Sequence, residues 1–131
     1  TQAIAIGFLA GASTQGQQSV AIGYGAGYSY QGTEAIAIGK GAGQYTQGQQ
    51  SVAIGYQAGY TNQGIQAISI GYQAGMTNQA QNSIALNASA TYLAATNSGF
   101  YAKPIRPVTS AGLASGVLWY NTSTNEICYN P

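Results

Sequence analysis

The chain alternates small and branched apolar residues over short runs, and the pattern restarts every sixteen residues. Gln2-Ala3-Ile4-Ala5-Ile6-Gly7 returns as Gln18-Ser19-Val20-Ala21-Ile22-Gly23 and as Glu34-Ala35-Ile36-Ala37-Ile38-Gly39. It returns again as Gln50-Ser51-Val52-Ala53-Ile54-Gly55 and Gln66-Ala67-Ile68-Ser69-Ile70-Gly71, with an altered copy at Asn82-Ser83-Ile84-Ala85-Leu86-Asn87. An Ala-Gly pair keeps the same step from Ala10-Gly11 to Ala74-Gly75, and a Gln-Gly pair keeps it from Gln15-Gly16 to Gln63-Gly64. Three motifs in one register mark a repeat architecture.

Period-two alternation with β-branched residues predicts a short strand in each unit. Three or more glycines in most units disfavour helix. Gly7, Gly23, Gly39, Gly55 and Gly71 close the strands, where the chain is expected to turn through positive φ. The Ala-Gly and Gln-Gly pairs mark two further bends. One strand and several bends in sixteen residues fit one coil of a parallel β-solenoid (a β-roll). We expect an all-β fold with six coils over residues 1–96, the last degenerate, and a capping segment over 97–131.

Stacked coils place equivalent residues about 4.8 Å apart. Ile4, Val20, Ile36, Val52, Ile68 and Ile84 then form one ladder, and Ile6, Ile22, Ile38, Ile54, Ile70 and Leu86 a second on the same face. These twelve side chains are the expected core of the coil. The opposite face carries only Ala and Ser, at positions such as Ala21, Ser51 and Ala53. Uniformly small residues imply close approach of another backbone, so this face is expected to lie in a subunit interface around a symmetry axis. The Gln ladder at Gln15, Gln31, Gln47, Gln63 and Gln79 is expected to hydrogen-bond along the stack.

Composition narrows the chemistry. The 131 residues are 45% hydrophobic, so the chain has material to fold, but only 4% are charged, against about 25% in ordinary domains. A net charge of +1 leaves no basic footprint for nucleic acid or anionic lipid. No apolar run approaches the roughly 20 residues of a membrane span. The start shows neither a signal-peptide pattern nor an initiator Met, which reads as a fragment or processed product. There is no His and no Asp; the acids are Glu34 and Glu126, and the bases are Lys40, Lys103 and Arg106. No Ser-His-Asp or Cys-His arrangement can be assembled. A zinc site lacks its ligands, and a calcium solenoid lacks its aspartates. The expectation is a non-enzyme with no cofactor and no metal. Cys128 is the single cysteine, read as a strand residue rather than a disulfide partner.

The runs Ser19-Val20-Ala21-Ile22-Gly23, Ser51-Val52-Ala53-Ile54-Gly55 and Asn82-Ser83-Ile84-Ala85-Leu86 resemble the head repeats of YadA-like trimeric autotransporter adhesins. That resemblance covers residues 1–96. It implies a left-handed parallel β-roll, three chains to a head, and attachment to host surface or matrix. The unit here is longer than the usual family repeat and adds the Gln-Gly bend.

Residues 97–131 leave the pattern. Asn97-Ser98-Gly99-Phe100-Tyr101-Ala102-Lys103-Pro104-Ile105-Arg106 has no evident upstream counterpart. Gly116-Val117-Leu118-Trp119-Tyr120-Asn121 and Glu126-Ile127-Cys128-Tyr129 flank a polar turn and read as a hairpin. The segment resembles a stretch of fibre-like proteins of large DNA viruses and phages. This tips the expected setting towards a virion fibre over a bacterial surface, extracellular in either case.

Tyrosines number eleven. Phe8, Tyr24, Tyr56 and Tyr72 share one register, interrupted by Lys40, and Tyr28, Tyr60 and Tyr92 share another. Tyr24, Tyr56 and Tyr72 are candidate ligand contacts for a host glycan or surface receptor, with ring stacking inside the solenoid as the plainer role. Asn87-Ala88-Ser89 and Asn121-Thr122-Ser123 match the N-glycosylation pattern. The function expected is a structural fibre or adhesin segment without membrane insertion. An ice-binding solenoid and a ligand-free spacer are the alternatives, the former weakened because Thr14, Thr46, Thr61 and Thr77 do not hold one register.

Overall fold

The computed structural model describes residues 2–105, 118–124 and 126–129. It is a parallel β-solenoid with no helix among the described residues. One sheet has seven strands: β1 (Ile4–Ile6), β3 (Val20–Ile22), β5 (Ile36–Ile38), β7 (Val52–Ile54), β9 (Ile68–Gly71), β10 (Ser83–Asn87) and β11 (Gly99–Lys103). A second sheet stacks β2 (Thr14–Gln15), β4 (Tyr30–Gln31), β6 (Tyr45–Gln47) and β8 (Thr61–Gln63). Every ladder in these two sheets is parallel and its register step is sixteen, as in Ile36↔Val52 and Gln31↔Gln47. Seven strands at the usual spacing give a stack on the order of 30 Å long.

The seventh strand changes the reading of the C-terminal part. Ser83 pairs with Gly99 and Asn87 with Lys103, so the sixteen-residue step continues across residue 97 although the motif does not. Backbone pairing asks only for extended residues, and Gly99–Lys103 supplies them without the Ala-Ile pattern. Beyond it, β12 (Leu118–Asn121) and β13 (Glu126–Tyr129) pair antiparallel, Asn121 opposite Glu126. Gly116, Val117, Asn125, Arg106 and the side chain of Cys128 lie outside the described residues.

The coil interior is the reverse of the expectation. Ala21, Ala37 and Ala53 on the strands, and Ala26, Ala42 and Ala58 at the bends, are fully buried against one another. Ser19, Ser51, Ser69 and Ser83 are equally enclosed. The Ile and Val ladders point outward: Ile6 is 58% exposed, Ile70 40% and Leu86 36%. Thus the twelve expected core residues are not the coil core, and the Ala/Ser face is not a surface. The cause is the size of the coil. Gln31 on β4 crosses the whole interior, and its Nε2 donates to the Val20 carbonyl on the opposite strand at 2.7 Å. Gln47 and Gln63 do the same to Ile36 and Val52. The two sheets lie one glutamine side chain apart, and two facing rows of Ile do not fit in that gap. The expected bonding of this ladder along the stack is corrected by the same contacts: these amides bond across it.

Glycine is required where coils meet backbone to backbone. Gly55 has φ 124°, and a Cβ there would lie 2.7 Å from the carbonyl oxygen of Gly71. Gly7, Gly23, Gly39 and Gly71 repeat this turn with φ between 108° and 126°. Other corners use non-glycine residues in the left-handed region, among them Gln18, Glu34, Gln50, Gln66 and Asn82.

Candidate functional site

The outward face of the seven-stranded sheet is the feature that calls for a role. Two rows of Val, Ile and Leu run its full length, one through Ile36 and one through Ile38. Phe100 extends the first row beyond Ile84, and Ala102 extends the second beyond Leu86. Along the rows the side chains of the inner coils are half-buried and those near the ends exposed. Towards the C-terminal end Ile127 of β13 lines a cavity together with Ile84 and Phe100. Monomers seldom leave a contiguous apolar patch of this kind in water. A shallow cavity of about 390 Å³ opens on it beside Ile70 and Leu86.

An aromatic row borders this face just past the turn glycines. Phe8 stacks on Tyr24 with ring centroids 5.5 Å apart, and Tyr56 on Tyr72 at 5.4 Å. Lys40 fills the gap between the two pairs, its Nζ 5.8 Å from the Tyr24 ring centroid and 6.0 Å from that of Tyr56. Stacking along the coil axis uses the ring faces on each other. What Tyr24, Tyr56 and Tyr72 offer outward is therefore mainly ring edges and hydroxyls. All three are exposed.

The other border is a row of corner residues: Gln18, Glu34, Gln50, Gln66 and Asn82. Here the side chains do bond along the stack. Gln50 Nε2 donates to Glu34 Oε2 at 3.0 Å, and Gln66 Nε2 to Gln50 Oε1 at 3.2 Å. Like pairs join Gln73 to Gln57 and Asn62 to Asn78. The left-handed backbone at these corners had no visible signal in the sequence beyond the recurrence of Gln and Asn.

A second aromatic group lies apart from this face. Tyr45 packs edge-on against Tyr28 and Tyr60, at centroid distances of 6.2 and 5.3 Å. Gln44 Nε2 donates to the Tyr45 hydroxyl. Partial burial holds the Tyr60 hydroxyl above the usual phenol pKa, and the neighbouring Tyr45 pushes the same way. Tyr92 shares their register but is 61% exposed.

Asn87 is not available for glycosylation. It is buried, and its Nδ2 donates to the carbonyls of Tyr72 and Thr91. The sequence pattern there marks the amide that fills the last coil. At Asn121 the side-chain Oδ1 accepts from the amides of Ser123 and Thr124, which shapes the hairpin turn.

Comparison with known families bears on the coils. Two stretches match the YadA head domain repeat. They are residues 1–26 and 47–59, and both include the Ala-Ile strands whose branched residues face outward. The match shows that these stretches of coil are similar to YadA head repeats. No curated protein and no solved structure matches the chain. No helix among the described residues is long and apolar enough to cross a membrane.

Proposed function

We propose that this chain is a segment of a homotrimeric surface fibre or adhesin head, with the outward Ile/Val face as the contact between protomers. The observation that carries the reading is the pair of continuous apolar rows on that face. Burying an Ile is worth about 1.5–3 kcal/mol, and among the described residues the coil interior offers Ala, Ser and Gln with one Asn. Three such sheets around an axis parallel to the stack would cover one another's rows. The YadA head match supports this arrangement, since that family is trimeric. The interface is thus assigned to the Ile ladders and not to the Ala/Ser face.

We read the hairpin β12–β13 as a cap on the C-terminal end of the stack, where a sheet edge would otherwise stay open. The C-terminal resemblance favours a virion fibre over a bacterial surface. A host glycan or surface receptor is the ligand class, with the exposed tyrosine edges and hydroxyls as contacts. The lack of His and Asp in this sequence supports reading the segment as a non-enzyme.

Native mass in solution tests the core of this. Three chains of 13.4 kDa give about 40 kDa. A trimer leads next to glycan-array and cell-surface binding. A stable 13.4 kDa species would remove the assembly reading and leave a lone spacer.

A further inference from the structure

Charge is sparse in the solenoid: Lys103 ends β11, where its Nζ donates to Thr91 Oγ1, and the other two charged side chains fall in one coil. Between residues 2 and 102 there are two charged side chains, Glu34 and Lys40. Both belong to one coil, at opposite ends of β5 (Ile36–Ile38). Across the repeats, the border before the strand reads Gln2, Gln18, Glu34, Gln50, Gln66 and Asn82. The border after it reads Phe8, Tyr24, Lys40, Tyr56, Tyr72 and Ala88. The coil that turns the first row acidic is the coil that turns the second row basic.

The two do not meet within one chain. The chain between them turns at Glu34 and at Gly39, so their separation is at most roughly 20 Å, with β5 lying between them. Glu34 is engaged by Gln50, and Lys40 lies over the rings of Tyr24 and Tyr56. Both are exposed.

We propose that Glu34 of one protomer pairs with Lys40 of the next, three times around the axis, and that this ring of charge pairs fixes the axial register of the trimer. The inference rests on the trimer reading above. Rotation about an axis parallel to the stack moves no residue along it, so each coil faces only the same coil of its neighbours. The three strands of a coil form the sides of a triangle, and at each corner the start of one strand meets the end of the next. Glu34 then has Lys40 as its counterpart. At the other coils an amide meets an aromatic or small side chain. The Ile and Val rows are nearly uniform from coil to coil, so apolar contact alone would tolerate a slip of one coil. A slip sets Glu34 against Tyr24 or Tyr56 and leaves both charges unpaired at the interface, the situation in which one charged position specifies register.

A zero-length carbodiimide cross-link on the wild-type chain, mixed from 14N- and 15N-labelled protein before assembly, tests this. The expected product is a Glu34–Lys40 isopeptide carrying one label of each kind. In parallel, Glu34→Lys or Lys40→Glu alone should raise the concentration for trimer dissociation roughly tenfold. Glu34→Lys with Lys40→Glu should restore it to within about threefold of wild type. A wild-type trimer that lacks the mixed-label cross-link, with a double reversal as weak as its two single changes combined, would overturn the register pair and leave the trimer standing. A wild-type chain that stays monomeric overturns the trimer, and the pair with it.

Discussion

The two faces of the seven-stranded sheet share one backbone and obey opposite rules. Inward, Ala21, Ala37 and Ala53 are fully buried, and the space beyond them is occupied by a glutamine from the facing sheet. Outward, Ile22, Ile38 and Ile54 stand partly in solvent. The inner face is limited by volume, whereas the outer face lacks a cover. The largest expected effect comes from erasing that distinction. Ala53→Ile forces three extra carbons into a filled coil and should cost about 3 kcal/mol or more, enough to break the stack locally. Loss of the β signal at a much lower temperature in circular dichroism would be the readout. Retention of the wild-type melting point would show that the interior has room and that the account of the core is mistaken.

On the outer face the same reasoning predicts a loss of assembly with the coils kept. Ile38→Asp sets a carboxylate into each copy of the apolar row, where three would gather around the axis. Removing unpaired charge from water is costly enough to weaken the trimer by at least about a hundredfold. Light scattering should report a species of 13.4 kDa while the β spectrum persists. An unchanged trimer would move the interface to another surface.

Two glycines sharpen the contrast between inside and outside corners. Gly59 has φ 53°, and an added Cβ would lie 2.6 Å from Oε1 of buried Gln63. Gly25 has φ 63°, yet its Cβ would meet nothing nearer than Gln44 at 3.6 Å. The equivalent corner carries Leu9, Gln57 and Gln73, all at positive φ. Gly25→Ala should cost about 1 kcal/mol, the left-handed penalty alone. Gly59→Ala should cost about 2–3 kcal/mol, because Gln63 must also shift away from the Val52 carbonyl. Equal losses in thermal melts would mean that crowding inside the coil contributes nothing.

Legibility in the sequence follows the same division. The Ala-Ile strands, their register and the sixteen-residue step could be read directly, because backbone pairing depends on a repeat that Ile36, Val52 and Ile68 display openly. The second sheet was missed, because Thr14–Gln15 and its equivalents carry bend-like Gln-Gly pairs and no apolar alternation. The direction of the faces could not be read either. Alternation separates Ala53 from Ile54 but does not say which points inward. That choice depends on the width of the coil, which is set by corners such as Gln50 and Gln66 at positive φ and by the length of Gln47 across the interior. The seventh strand was hidden for a related reason. Gly99–Lys103 keeps the spacing of the repeat while losing its residues, and only the spacing matters to the ladder. Of the candidate site, the tyrosine register and the lysine that interrupts it were visible. The stacking that turns their faces onto each other depends on side-chain direction, which a one-letter pattern does not carry.

The smallest effect expected is a gain. Gln31, Gln47 and Gln63 each bury an Oε1 that has no hydrogen-bond donor. Gln79 occupies the same place one coil later, and its Oε1 accepts from the hydroxyl of Ser69. The positions that correspond to Ser69 in the earlier coils are Ala21, Ala37 and Ala53. An unsatisfied buried acceptor is costly, and supplying its donor recovers about 0.5–1.5 kcal/mol. Ala53→Ser adds one oxygen, which the fifth coil already accommodates at Ser69, fully buried. It should therefore raise the melting temperature by a few degrees, whereas Ala53→Ile at the same site should abolish the coil. The difference between these two substitutions separates a volume limit from a general intolerance of change. If Ala53→Ser lowers stability as well, the interior has no space even for a hydroxyl, and the Ser69–Gln79 contact would be an adaptation of the last full coil alone.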